Sequence, residues 1–476
     1  METAYSKPDQ LLLDIASYVL KKNVGDALAY KLARYCLMDA MGCAFAAFGT
    51  PDCVKFLGPQ VPGTHVPNGA RVPGTQFVLD PVKAAFDTAC LVRWLDFNDA
   101  WWAGGHPSDN VGGILAAADW LGRSNMASCR RPLIMRDVLQ AIIKAYEIQC
   151  VLTESNKMDR PEIGLDSTFM TKVASAGVLT GMLGGSMEEV TAAVSHAFVD
   201  GHNLNIFRTQ ANAGSRKSWA AADAASRALW IARTAIQGEM GYPAVLSAKT
   251  WGFCDVLYRG LPFTASRPFG SFAVKNVQYK ISYPTQRHAQ TAAEAAVRLH
   301  PLVEGRLNEV QKIVLNTHQL AFRTINNSGP LHNYAARDHC LQYIAAIGLI
   351  FGDITTASYG DEFSADPRID RLRDTMVVEE NQGYTRIYSD KETRANPASI
   401  QVFFKDGSKT RKVEIEFPIG DPNRRSDGLP LLEKKFNTNA AQRFPARRVR
   451  ELVNLFADQG ELEAMPVPRF VDMLVI

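Results

Sequence analysis

Along the first half of the chain, apolar residues recur at helical spacing. "KPDQLLLDIASYVLKK" sets Pro8 just ahead of a helix whose apolar positions return every three or four residues. "DALAYKLARYCLMDAMGCAFAAF" predicts a longer, largely buried helix. "DPVKAAFDTACLVRWL" predicts one capped by Asp80, with Pro81 at its first position. Ser108 or Asp109 is placed to cap "SDNVGGILAAADWLG". Ser186 and Glu189 form a capping box for "SMEEVTAAVSHAFVDG", which runs to Gly201. "MRDVLQAIIKAYEIQC", "TKVASAGVLTGMLG" and the Ala-rich "SWAAADAASRALWIARTAIQ" read as helices too. The exception is "LGPQVPGTHVPNGARVPGTQFVLDP", where Pro and Gly every few residues predict an extended loop.

The pattern changes near residue 276. "NEVQKIVLNTH" alternates as a strand does, and "SIQVFFKDGSKTRKVEIEF" reads as a hairpin turning at Asp406-Gly407. That register sets Ile400, Val402 and Phe404 against Val413, Ile415 and Phe417. "RDHCLQYIAAIGLIFGDI" between them predicts a buried helix. "LPLLEKKFNTNAAQRF" and "RRVRELVNLFADQGEL" return to amphipathic helix. The expected fold is mainly α with a smaller α+β domain. A large all-helical domain, residues 1–276, is completed by C-terminal helices at 421–476, and 277–420 form an α+β lid.

Composition narrows the function classes. A chain of 476 residues exceeds one compact core, and 46% hydrophobic with 21% charged residues is a globular composition. A net charge of +3 is too mild for nucleic acid, and suits a small anionic ligand only weakly. The eight cysteines show no zinc or iron–sulfur spacing, so neither metal nor cofactor is expected. No secretory signal and no bilayer-length apolar run is visible, so a cytoplasmic protein with no membrane contact is expected. Strand–helix GxGxxG, Walker, GxSxG and HExxH motifs are absent, which takes support from nucleotide, redox and serine-hydrolase readings.

Four stretches carry candidate chemistry. "RWLDFNDAWWAGGHPSDNVGG" places Asp96 at one helix end and His106 before the next, with Gly104-Gly105 as a hinge between them. A carboxylate and an imidazole so placed suit proton transfer, although spacing alone favours capping aspartates and a loop histidine. "FRTQANAGSRKSW" gathers Arg208, Arg216 and Lys217 around Asn212 and Gly214, as a carboxylate site or a solvated basic turn. "YKISYPTQRHAQTAAEAA" places Lys280, Arg287 and His288 at the domain boundary, as a lid clamp or a charged linker. In "ARDHCLQYIAAIGLIFG" the plainer reading stands: Asp338 caps a helix and Tyr343 is a core aromatic.

Taken together, "LGPQVPGTHVPNGARVPGTQF", "RWLDFND", "GHPSDNVGGIL", "SRKSWAAADAASRA", "GEMGYPAVLSA", "RDHCLQYIAAI" and "DGLPLLEKKF" resemble the 2-methylcitrate dehydratase (MmgE/PrpD) family over nearly the whole chain. The resemblance implies a homodimer with its active site between two domains. It implies loss of water from a small tricarboxylate, 2-methylcitrate or a longer 2-alkylcitrate as in fungal routes to alkyl-maleic anhydrides. Asp96 and His106 are then the acid–base pair, their roles unassigned, with Lys217 and Lys280 as carboxylate clamps. Arg208 and Tyr343 line the pocket, and His288 is a further candidate. Three features depart from the family: Ala100 where Thr is usual, Ser167 where His is usual, and a shortened Asp96–His106 loop. The loop length is similar to that of a branch that decarboxylates cis-aconitate. A catalytically silent tricarboxylate-binding homologue is the other alternative.

Overall fold

A computed structural model describes residues 7–21, 23, 27–208 and 213–476. Helices Gln10–Leu20, Ala27–Ala47, Pro81–Arg93, Val111–Ala127, Met135–Ser155, Thr168–Met182, Met187–Val199 and Arg216–Ile236 bury their apolar faces in one core. Asp80 accepts a bond from the Val82 amide to start the Pro81 helix, and Ser186 with Glu189 closes the expected capping box. Residues 56–80 form the expected loop, held by one short pairing of Ala70–Arg71 with Val78–Leu79.

Apolar residues contribute to this core as far as Ile281. From Ala289 to Ile415 they build a second core, and from Leu432 to Leu474 the chain rejoins the first. In the second core helix Gln290–Val303 packs on a four-stranded sheet in the order Met376–Glu380, Val310–Thr317, Ala398–Phe404, Val413–Ile415, and helix Leu341–Phe351 packs on that helix. Helices Arg425–Ala441, Ala446–Ala457 and Val467–Met473 close the first. The fold is thus mainly α with a small α+β domain.

Three local expectations are corrected. Ile400 does oppose Val413, but Ile415 opposes Ala398 and Phe417 lies outside the strand. Val402 and Phe404 pair instead with Ile313 and Val310, while the Thr410 hydroxyl takes the Val402 amide that a longer hairpin ladder would have used. Ser108 and Asp109 do not cap the following helix, because Asp99 captures Ser108. Asp338 does not cap either: the Cys340 sulfur accepts from the Tyr343 amide at that helix start. Asn212 lies outside the described residues.

Candidate active site

Asp96 follows the last turn of the Pro81–Arg93 helix with φ of +49°, a left-handed conformation uncommon for a side-chain-bearing residue. That turn aims a carboxylate only 2% exposed back into the core. Its Oδ1 accepts from Arg93 Nη1 at 2.9 Å and Lys280 Nζ at 2.6 Å, and Lys217 Nζ stands 3.9 Å from Oδ2. Burial pushes this carboxyl up, but Arg93, Lys280, His106 and Lys217 overcome it and hold it well below the usual carboxylate range. Asp96 is therefore charged and saturated with cations.

The loop from Asp96 to His106 is folded on itself. Asp99 accepts from the Ser108 amide at 3.0 Å, the Ser108 hydroxyl at 2.6 Å and the Tyr146 hydroxyl at 2.6 Å. The Asp99 carbonyl meets His106 Nδ1 at 2.6 Å. A carbonyl only accepts, so Nδ1 carries the ring proton and Nε2 offers its lone pair. Nε2 faces Asp96 Oδ1 at 3.5 Å. Burial, then Arg93 and Lys280, hold the imidazole well below its ordinary pKa, so it is neutral. Two acceptors thus face each other with no proton between them. Gly105 has φ of +78°, and a Cβ there would meet Gln149 Nε2 at 3.3 Å, so the turn requires glycine.

Lys217, in the first turn of the Arg216–Ile236 helix, and Lys280, on the extended segment leading to the second core, are each about 1% exposed. Lys280 spends two of its three N–H groups on the Asp96 carboxylate and carbonyl, leaving one. Burial lowers its pKa to about 8, against the pull of Asp96. Lys217 donates to Asp338 Oδ1 at 2.7 Å and lies 3.1 Å from His339 Nδ1. His339 Nδ1 also lies 2.6 Å from Asp338 Oδ1. Asp338 and His339, read in sequence as a helix start, are thus part of the cluster.

The remaining sequence candidates divide. Arg208 forms a two-point pair with Asp166 and acts electrostatically on both Asp96 and Asp109 at the rim. His288 accepts from Arg287 on Nε2, which leaves a buried Nδ1–H without a partner. Its pKa is held well below normal by burial and by Arg287, His318, His339 and Lys280. Tyr343 is not brought to the cluster: its hydroxyl donates to the Ser358 carbonyl inside the second core. The tyrosine that reaches it is Tyr334, whose buried hydroxyl has no partner. Burial raises its pKa well above normal, with Asp338 and Asp96 adding to the shift. Nothing in the apolar pattern separates the two tyrosines. Arg216 turns away onto Trp219 and Asp223.

Ala100 pairs through its backbone with Gln278, and its methyl offers no hydrogen bond. Ser167 lies against the loop, its Oγ 3.7 Å from where a Cβ on Gly105 would be. Asp96, Asp338 and His339 are near enough together to ligate one cation. Lys280 and Lys217 already occupy their oxygens, so a divalent ion would be set against two ammoniums, and the donor set fits a metal poorly.

The geometry defines a class: two-domain, mainly helical proteins with a buried acid–base cluster lined by lysines. The family comparison makes that definite. Residues 13–266 match the MmgE/PrpD N-terminal domain and residues 283–459 the MmgE/PrpD C-terminal domain, and the chain belongs to the MmgE/PrpD family. It is 49% identical over 474 residues to the 2-methylcitrate dehydratase of Cupriavidus necator, covering 98% of each chain. It is 43% identical over 480 residues to the mitochondrial 2-methylcitrate dehydratase of Yarrowia lipolytica, covering 100% of this chain and 92% of that one. It is also 38% identical over 487 residues to the 2-methylcitrate dehydratase-like protein oryR of Aspergillus oryzae, covering 99% and 96%.

Proposed function

We propose that the protein is a carbon–oxygen lyase that dehydrates 2-methylcitrate, or a longer-chain 2-alkylcitrate, to the corresponding alkyl-aconitate by acid–base catalysis without a metal. The observation that carries this is the neutral His106, its proton locked on the Asp99 carbonyl and its free Nε2 turned to a cation-bound Asp96. His106 Nε2 takes the proton next to a substrate carboxylate, and Asp96 stabilises the imidazolium that forms. The free N–H of Lys280 and the Lys217 ammonium bind substrate carboxylates and the charge building on them, with Arg208 and His288 flanking. The unpartnered Tyr334 hydroxyl, kept protonated by its raised pKa, is the proton donor for the departing hydroxide, and it takes the pocket-lining place expected of Tyr343. The relatives' names support the substrate class. Ala100 and Ser167 leave out two polar groups beside the loop and favour a longer alkyl chain.

Two cores support the division into 1–276, 277–420 and 421–476. A homodimer is part of the reading. Leu204, Ile206, Met240 and Trp251 are large apolar residues left exposed on one stretch of chain, Trp251 by 87%. No helix among the described residues is long and apolar enough to cross a membrane. Cell fractionation tests the cytoplasmic location proposed here against the mitochondrial one in the Yarrowia relative's name.

The function is tested by offering 2-methylcitrate, a long-chain 2-alkylcitrate and cis-aconitate, and following conjugated alkene and carbon dioxide. Alkene from either alkylcitrate is expected. Carbon dioxide from cis-aconitate with no dehydration would make the protein a decarboxylase. Binding without either product would make it a silent homologue.

A further inference from the structure

A cavity of about 120 Å³ opens between the two cores, next to the Ala100–Gln278 backbone pairing. Trp102 and Gln278 line it from the first core's side, and Arg287, Tyr388 and Asn396 from the second. Arg287 is only 9% exposed, yet it meets no carboxylate within 4.0 Å among the described residues. Its Nη2 reaches two neutral groups, His288 Nε2 at 3.1 Å and the Tyr388 hydroxyl at 3.2 Å. The contrast with the other buried cations is sharp. Arg93, Lys217, Lys280 and Lys435 each hold a carboxylate, and Arg34 and Lys144 spend their N–H groups on backbone carbonyls.

Arg394, a second cation on the lining, donates to the Lys391 carbonyl, while two other donors of the cavity are idle. Gln278 Nε2 and Trp102 Nε1 are buried with no acceptor. The Gln278 backbone is fixed by a two-way pairing with Ala100, at 2.8 and 3.0 Å. Acceptors line the cavity too, among them one oxygen of the buried Asp421 carboxylate. Asn396 Oδ1 meets His318 Nε2 at 2.9 Å, Asp421 holds Asn423, and Glu392 is exposed. Two buried donors without acceptors and a buried guanidinium without a carboxylate face one space, a desolvation cost that an anionic ligand would relieve.

We infer that this cavity is a carboxylate subsite, in which Arg287, with Gln278 and Trp102, grips one arm of the substrate. The inference rests on the tricarboxylate reading above. One carboxymethyl arm is the part of the ligand assigned to this space. Chain connectivity places the cavity beside the cluster. Gln278 stands two residues before Lys280 on the same extended segment, and Arg287 touches His288, which lies within the electrostatic reach of Lys280 and His339. Arg287 is thereby a specificity-determining residue, selecting substrates with the third carboxylate.

The test uses the full chain with Arg287→Gln and Gln278→Glu. Thermal shifts with tricarballylate, glutarate and phosphate are read beside kcat and KM on 2-methylcitrate. Both variants are expected to weaken tricarballylate binding and raise KM by about tenfold or more, while kcat changes by less than about threefold. Glutarate, lacking the third carboxylate, is expected to bind wild type and variants alike. Gln278→Glu places a carboxylate beside Arg287 in the same volume, so the ligand-free protein should melt no lower than wild type. Loss of binding there is then not misfolding. Equal tricarballylate binding by wild type and both variants overturns the subsite, as does stabilisation by phosphate alone, which would mark an independent anion site. A wild type that binds tricarballylate through Arg287 but never dehydrates an alkylcitrate overturns the function and leaves the subsite standing.

Discussion

His106 and Lys280 set the working pH of the cluster from opposite sides. The imidazole is held well below its ordinary pKa, so its Nε2 is available as a base across the neutral range. Lys280 is charged below about 8 and loses its proton as the pH rises through that value. With Lys280 in its proposed role as a carboxylate clamp, its hold weakens on the alkaline side, and kcat/KM should fall above about pH 8, chiefly through KM. A profile that stays flat well past that value would show that the Lys280 charge does not hold substrate. At this scale the sequence was partly legible. Asp96 and His106 fall in one contiguous stretch whose polar content no apolar pattern explains. Asp338, His339 and Tyr334 lie more than two hundred residues away, and their roles arise only when the second core folds against the first. Tyr343, though close to them in sequence, is carried by its helix into the lid core.

Among the elements, the C-terminal helix Arg425–Ala441 does more than finish the first core. Its Lys435 donates to Asp39 Oδ1 at 2.7 Å, the Phe97 carbonyl at 2.6 Å and the Lys280 carbonyl at 2.7 Å. One buried ammonium thus ties together the Ala27–Ala47 helix, the loop behind Asp96 and the segment that carries Lys280. Lys435→Met would leave the Asp39 carboxylate buried and unpaired, a loss of about 3–5 kcal/mol. Adding Asp39→Asn should restore part of that stability but not the turnover, since both carbonyls still lack their donor. Urea unfolding and kcat of the single and double variants check this, and a single variant as stable as wild type would contradict it. The helices were readable because their apolar faces repeat over many turns. Their exact starts were not, since Asp99 takes the Ser108 amide and hydroxyl and the Cys340 sulfur, not Asp338, caps the later helix.

For the whole molecule, the return of residues 432–474 to the first core makes the two chain ends interdependent. The site forms only once both cores are docked, because Lys217 comes from the first and Asp338 from the second. For the homodimer proposed above, with Trp251 the most exposed of these apolar residues, sedimentation should read a dimer that Trp251→Ser weakens. The central claim, proton transfer by His106 beside a lysine-bound Asp96 with no metal, is tested most directly by one comparison. Alkylcitrate dehydration is followed with excess chelator present, in wild type and in His106→Gln. The account predicts undiminished turnover in wild type and a loss of about a hundredfold or more in the variant, with substrate still bound. Loss of wild-type turnover to the chelator, or a variant that dehydrates at the wild-type rate, would contradict it.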